Sequence, residues 1–338
     1  MSLQPPSPPR SPWQLLYGAG HRLRRAWHGR RAARLPRPVV SVGNLHWGGG
    51  GKTPLTAALA ARLRDRGLRV AILSRGYRSR GRGVRLVSDG RGPMLGPLLA
   101  GDEPVLLAGR LPGVAVLVGA DRYEAGRHAL ERLSPPPDLF LLDDGFSHLR
   151  LARDVELLVF PADDPFAGGR LAPAGRLREP LAASAHADAV LLTAGEPGEA
   201  LELERALRPF GFEGPAFASA TEVGPAVTER GESLPPGSRL LLVAGIARPE
   251  RLQAAAERLG LTVVGTVLFR DHHAYPERSL RRIARQFAAV GADRVLTTEK
   301  DQVKLLGRLE LPLASLPIAA RPQPEFWEWL ERRLAPEA

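Results

Sequence analysis

The stretch "RPVVSVGNLHWGGGGKTPLTAALAARLRDRG" constrains the architecture more than any other part of the chain. A short apolar run ends in a turn and reads as a strand. Gly48, Gly49, Gly50 and Gly51 follow, and Lys52 and Thr53 then open a segment where Leu55, Leu59 and Leu63 recur at helical spacing until Gly67. A strand that feeds a glycine loop and then a helix lets backbone N–H groups turn inward around an anion, and the helix adds its positive end. The expected ligand is the phosphate tail of a nucleotide, with Lys52 as a point charge on the terminal phosphates and Thr53 as a ligand of Mg²⁺. Pro54 falls in the first helical turn, where a missing N–H costs little. The strict phosphate-loop pattern places a glycine six residues before the lysine, and here that residue is His46.

Further apolar runs of strand length, "LRVAILS", "DLFLLDD", "VELLVFP" and "ADAVLLT", alternate with helical segments. That alternation predicts an α/β fold with a mostly parallel sheet, here a P-loop NTPase-like α/β/α domain. Ser79 to Gly101 is rich in Gly and Arg and reads as loop. After "GESLPPGSR" the strand–helix pattern restarts, which predicts a smaller C-terminal α/β domain. The expected division is a basic amphipathic segment over 1–37, a nucleotide-binding and catalytic domain over 38–235, and the smaller domain over 236–338.

The net charge is +11, and of 47 basic side chains only Lys52, Lys300 and Lys304 are lysine. Part of that charge reflects an arginine-rich composition; the rest suits an anionic partner. Zinc-finger spacing and an aromatic–basic pattern for stacking bases are both missing, so no nucleic-acid partner is expected. No obligate protein partner is expected either. The chain has no cysteine, which excludes a thiolate nucleophile or a cysteine metal site. The first 37 residues hold eight arginines, and the first acid in the chain is Asp65. A membrane span needs about 20 mostly apolar residues, and none occurs there. The segment reads either as a helix lying on an anionic membrane, aromatics down, or as a helix packed on its own domain.

"DLFLLDDGFSH" places Asp143 and Asp144 at the C-terminal end of a strand, where open sheets bind ligands and where carboxylates could hold Mg²⁺. Phosphoryl transfer to a hydroxyl also needs a group that positions the acceptor. Candidates are Asp102 and Glu103 of "AGDEP" and Asp271, His272 and His273 of "FRDHHAY". Their distance apart in the chain leaves their meeting open.

In order along the chain, "SVGNLHWGGGGKTP", "LSRGY", "GDEP", "DDGFSH", "PAGRLREP", "FRDHHAY" and "TTEKDQVKL" together resemble the tetraacyldisaccharide 4'-kinase family, ATP-dependent lipid A kinases of Gram-negative bacteria. The resemblance spans about residues 38 to 305, and the family's own glycine loop departs from the strict consensus, which removes the objection raised by His46. It implies transfer of the γ-phosphate of ATP to the 4'-hydroxyl of a tetraacyldisaccharide 1-phosphate, giving lipid IVA. It implies a peripheral enzyme on the cytoplasmic face of the inner membrane, with the basic N-terminus as a membrane-facing helix.

By the same resemblance Lys52 and Thr53 match the phosphate-loop pair, Asp102 the acid that takes the hydroxyl proton, and His272 its partner, with His273 the weaker match. Asp143 and Asp144 match the Mg²⁺-linked pair. Arg75, Tyr77, Arg178 and Glu179 match positions that shape the site. The family reads Gln where this chain has Ser147, so any amide contact made there must be replaced. Two rivals remain at this point: a kinase of soluble phosphorylated sugars, and a nucleotide-dependent binding protein.

Overall fold

The structure, a computed structural model, describes residues 12–29, 31–48, 50–246 and 248–335. The chain enters through helix α1 (Pro12–Gly29). Next come β1 (Val39–Gly43), α2 (Lys52–Asp65), β2 (Val70–Ser74) and β3 (Arg85–Ser88). Short helices α3 (Pro97–Ala100) and α4 (Asp102–Arg110) precede β4 (Ala115–Val118), α5 (Arg122–Arg132), β5 (Leu139–Asp143) and β6 (Val155–Pro161). Then follow β7 (Ala189–Thr193), α6 (Pro197–Leu207), β8 (Ala216–Val223), β9 (Val227–Thr228), β10 (Arg239–Ala244), α7 (Pro249–Arg258) and β11 (Thr262–Leu268). The chain closes with α8 (Glu277–Val290), β12 (Arg294–Thr298), α9 (Glu299–Leu305), β13 (Leu313–Leu316), β14 (Ile318–Pro322) and α10 (Pro324–Leu334).

Nine strands form one sheet in the order β14-β8-β7-β6-β1-β5-β2-β4-β3, parallel except at its two edges. β1, β2, β5 and β7 are buried along their whole length, so both faces of the sheet are covered. Leu55, Leu59 and Leu63 of α2 pack on one face with Phe326 and Leu330 of α10, while Ala125 and Ala129 of α5 pack on the other. This is a three-layer α/β/α fold, as the alternating pattern predicts.

The second sheet, β11-β10-β12-β13-β9, is parallel except for β9. It carries α7 on one face and α8 with α9 on the other. Two expectations change here. The second sheet starts before residue 236, at β9, and it ends at β13; β14 then crosses back to pair with β8, and Phe326 of α10 joins the first core. The division expected at 235/236 is therefore displaced. The turn signal "GESLPPGSR" lies between β9 and β10, inside the second unit rather than at its border. Ser79–Gly101 is also more than loop: Val87 is buried and β3 pairs with β4, because two apolar residues suffice for an edge strand amid Gly and Arg.

Both sheets turn the C-terminal ends of their parallel strands toward one cleft. From the first come the loops after β1, β2, β5 and β7; from the second come those after β10, β11 and β12.

Candidate active site

The glycine loop leaves β1 at Gly43, where a Cβ would sit 2.3 Å from that of Phe146, so only glycine lets the loop pass the "DDGFSH" turn. Gly51, at φ 81°, closes the loop against Thr193, whose hydroxyl donates to the Gly50 carbonyl at 3.1 Å. Gly49 lies outside the described residues. Lys52 begins α2, so its ammonium stands at the positive end of that helix.

His46 occupies the place of the consensus glycine without disturbing this turn. Its ring is buried edge-on against Phe160, and Nε2 lies 2.6 Å from the Pro165 carbonyl. Burial lowers its pKa to about 4 against the raising effect of that carbonyl, so it is a neutral wedge at pH 7. Here the loop is stitched to the neighbouring segment, with Trp47 N–H donating to Arg176 O and Arg178 N–H to Leu45 O.

Asn44 is a site residue that the motif reading missed. It is fully buried, and its Oδ1 accepts from both Lys52, at 2.9 Å, and Arg178. Its Nδ2 is buried without a partner among the described residues and lies 3.1 Å from where Gly50 would carry a Cβ. An orphaned donor at the rim of a glycine loop fits a phosphate oxygen.

Asp144 takes the left-handed backbone region, φ 54°, and turns its carboxylate into the same group. Arg178 grips it with two hydrogen bonds, at 3.0 and 2.8 Å, and Lys52 lies 3.4 Å away. Burial pushes Asp144 up, but Lys52 and Arg178 outweigh it and hold the carboxyl well below its usual range. Asp143 differs: it is buried, accepts from Thr56 Oγ1 at 3.3 Å, and is pushed upward by burial and by the charges of Glu103 and Asp144. Thr53, Asp144 and, behind them, Asp143 are the residues here that could hold a divalent cation. Mg²⁺ takes one or two carboxylates together with substrate phosphates and water, which this set fits.

Across the cleft, Asp102 and Glu103 open α4. Gly76, at φ 67°, and Gly101, at φ 94°, pack closely enough to bring the "SRGY" turn against them, and Tyr77 meets His272 edge-on at 5.7 Å. Asp102 Oδ2 lies 3.6 Å from His272 Nδ1 and 3.4 Å from Lys304 Nζ. Burial pushes Asp102 up, but the imidazole of His272 close beside it and the charges of Lys304 and Lys300 together leave its carboxyl below the ordinary value. His273 faces elsewhere: it stacks on Phe269 and meets Ser279 Oγ at 2.9 Å. The two sides share one field, since the charge of Glu103 acts on both Asp143 and Arg178.

Glu179 points away from the loop toward α1. Arg25 donates to it through Nε and Nη2 at 3.0 and 2.8 Å, and Ser147 Oγ donates at 2.6 Å. Ser147 therefore works in this clasp. Arg25 also covers the Phe146 ring, and Tyr17 donates to the Arg178 carbonyl. Replacing Glu179 by Ala strands Arg25, whose side chain is only 9% exposed. Removing one partner of a buried pair costs about 3–5 kcal/mol. Urea unfolding should show that loss as a lower midpoint; an unchanged midpoint would mean that α1 is not held by this pair.

Arg75 is exposed, with its charge acting on buried Arg122. Arg122, another residue the motifs missed, is lowered to about 10 by burial first and then by Arg75. Its backbone N–H donates to His148 Nε2 at 3.3 Å, and burial together with the Arg122 charge lowers His148 to about 4.

Comparison with known proteins gives the chain a family. A family model described as tetraacyldisaccharide-1-P 4'-kinase matches residues 10–335. The tetraacyldisaccharide 4'-kinase of Geobacter sulfurreducens is 44% identical over 317 residues, covering 91% of this chain and 87% of its own. That of Anaeromyxobacter dehalogenans is 45% identical over 282 residues, covering 81% and 74%. The crystal structure of LpxK from Aquifex aeolicus, described as an "apo" form in complex with ATP, superposes with a TM-score of 0.74 at 32% identity, covering 96% of this chain and 98% of that one. The chain belongs to the tetraacyldisaccharide 4'-kinase family.

Proposed function

We propose that this protein transfers the γ-phosphate of ATP to the 4'-hydroxyl of tetraacyldisaccharide 1-phosphate, giving lipid IVA in lipid A biosynthesis. The observation that carries the reading is the convergence of a phosphate-binding loop with the Asp102–His272 pair at one cleft. The loop amides, Asn44 Nδ2 and the N-terminus of α2 receive the phosphates, and Lys52 stabilises the charge that develops on the transferred group. Mg²⁺, held by Thr53 and Asp144, would supply further neutralisation between the phosphates. Asp102 accepts a hydrogen bond from the acceptor hydroxyl and aims it in line; in a loose transition state the proton leaves late, so orientation matters more than base strength. Arg75 and Arg122 suit the substrate's own phosphate. Purified protein in mild detergent, given γ-labelled ATP, Mg²⁺ and the acylated acceptor, should label a bisphosphorylated lipid. ATP turnover without labelled lipid would reject the acceptor.

The membrane reading of α1 rests on its outer side. Leu16, Leu23 and Trp27 are 67%, 72% and 59% exposed, while Tyr17 and Arg25 hold the helix to the domain. Spacings of seven and four residues align the three on one stripe. Among the described residues no helix is long and apolar enough to cross a membrane. The stripe would seat α1 in the headgroup region of an anionic leaflet on the cytoplasmic side. Fully burying one such side chain is worth about 1.5–3 kcal/mol. The triple change Leu16→Ser, Leu23→Ser, Trp27→Ser should therefore weaken binding to phosphatidylglycerol vesicles by about a hundredfold or more; unchanged co-sedimentation would sink the membrane role.

A further inference from the structure

Of the 47 basic side chains in this protein three are lysine, and all three stand in one cleft. Lys52 faces the glycine loop. Lys300 and Lys304 sit on α9, in the second unit, and reach across to the acids of α4. Every other lysine-or-arginine position is arginine, and among the described residues the remaining ion pairs with Asp and Glu are made by arginine or histidine. Lysine at these three places puts a compact ammonium, rather than a planar fork, beside the acids.

Lys304 is 4% exposed. Its Nζ lies 2.6 Å from Asp301, 3.4 Å from Asp102 Oδ2, and 5.2 Å above the Tyr275 ring. Asp301, fully buried, is fixed in turn by the Gly245 N–H at 2.7 Å and the Thr298 hydroxyl at 3.2 Å, at the ends of β10 and β12. Lys300 Nζ lies 3.3 Å from Glu103 Oε1 and 3.1 Å from His272 Nε2. An ammonium has three donors and no acceptor, so His272 Nε2 must offer its lone pair. The imidazole proton then resides on Nδ1, the nitrogen that faces Asp102 at 3.6 Å. Such contacts are often long before substrate closes the site.

We propose that Lys300 and Lys304 are the positioning residues of the Asp102–His272 pair: Lys304 holds the carboxylate ionised and in place, and Lys300 dictates which imidazole nitrogen carries the proton. The assignment rests on the kinase reading above only for its catalytic consequence. Among the described residues, the cations that face Asp102, His272 included, thereby all come from the second unit. The groups around that carboxylate are Glu103 and Tyr77 from the first unit and Asp271, His272, Tyr275, Lys300, Asp301 and Lys304 from the second. An ionised Asp102 accepts the hydroxyl hydrogen bond, and a protonated one does not. An His272 with its proton on Nδ1 faces Oδ2, as Lys304 does, and leaves Oδ1 for substrate.

Two measurements test this. Nitrogen-15 NMR of histidine-labelled protein, with His272 assigned through His272→Asn, should show the neutral Nδ1–H tautomer in the native protein. Lys300→Met should move the proton to Nε2. An Nε2–H tautomer in the native protein, or a spectrum unchanged in Lys300→Met, would overturn the role of Lys300, and neither readout needs a lipid substrate. In the transfer assay, Lys300→Met should lower kcat about 10- to 100-fold with KM for ATP unchanged, and Lys300→Arg should recover less than half of the loss. Lys304→Met should move the acid limb of the kcat/KM profile upward by about one pH unit or more, because removing a cation raises a carboxyl pKa. An acid limb that stays in place in folded Lys304→Met overturns the role of Lys304. If Lys304→Met does not fold, Asp102 is read in Lys304→Arg, where a displaced cation should move the same limb in the same direction and a fixed limb overturns the claim. Failure of the native protein to label lipid would reject the kinase reading and leave the tautomer result standing.

Discussion

Asp102→Asn is expected to lower the single-turnover rate of phosphoryl transfer by on the order of 10²- to 10⁴-fold, the usual worth of a positioned general base. The amide has the same shape as the carboxylate, so the fold should hold. Lys304 keeps Asp301 as its partner, at 2.6 Å. What is lost is the charge that aligns the acceptor hydroxyl and later takes its proton. KM for ATP should change little, because the proposed nucleotide contacts lie on the loop after β1 and not on α4. Single-turnover kinetics are the right measurement, since product release can mask a chemical defect in steady-state kcat. His272→Asn should cost less, and the double variant should be no slower than Asp102→Asn alone, because groups that act as a unit do not add. A double variant slower by the product of the two single effects would mean that His272 acts independently. An Asp102→Asn protein that transfers phosphate at the native rate would move the acceptor-positioning role elsewhere in the cleft.

How much of this was legible follows from where each signal is stored. β1, β2, β5, β6, β7, β10, β11, β12 and α2 could be read because each is a local pattern: an apolar run of strand length, or leucines at four-residue spacing. The glycine loop could be read for the same reason, and Asp143 and Asp144 were visible as a strand end. Their unequal exposure was not, since it depends on Thr56 of α2 and on Arg178, which arrive from other parts of the chain. The meeting of Asp102 with His272 needed two sheets facing one cleft, and no local pattern encodes that. The return of β14 to the first sheet was illegible because its partner β8 precedes the whole second unit.

Asn44 was hidden at the end of a stretch that reads as an ordinary strand, and Arg122 opens α5, where no motif marks it. Lys300 and Lys304 did leave a trace. In a chain that writes nearly every cation as arginine, each surviving lysine is a position where composition yielded to geometry, and "TTEKDQVKL" holds two of the three.

The same argument gives the sharpest expectation for Lys52. Lys52→Met should reduce kcat/KM for ATP by on the order of 10²- to 10³-fold, the effect of removing one preorganised donor from the charge that develops in a transition state. The less obvious expectation concerns Lys52→Arg. A guanidinium preserves the charge, and a composition this rich in arginine would suggest that it is tolerated. The site argues otherwise. Lys52 is confined between Asn44, at 2.9 Å, and Asp144, at 3.4 Å, with its side chain only 13% exposed. Arg178 already covers both Asp144 oxygens and reaches Asn44 Oδ1, and its other side faces the Trp47 ring. A second fork has neither room nor a free acceptor edge, whereas an ammonium fits as a point. Lys52→Arg should therefore fall within tenfold of Lys52→Met in kcat/KM. Calorimetry should show that both variants lose affinity for ATP by a smaller factor than they lose rate, because the lysine's contribution is concentrated where charge moves in the transition state. Native-like turnover by Lys52→Arg would show that the loop accepts any cation at this place, and would remove the geometric reading of the three lysines at its first member.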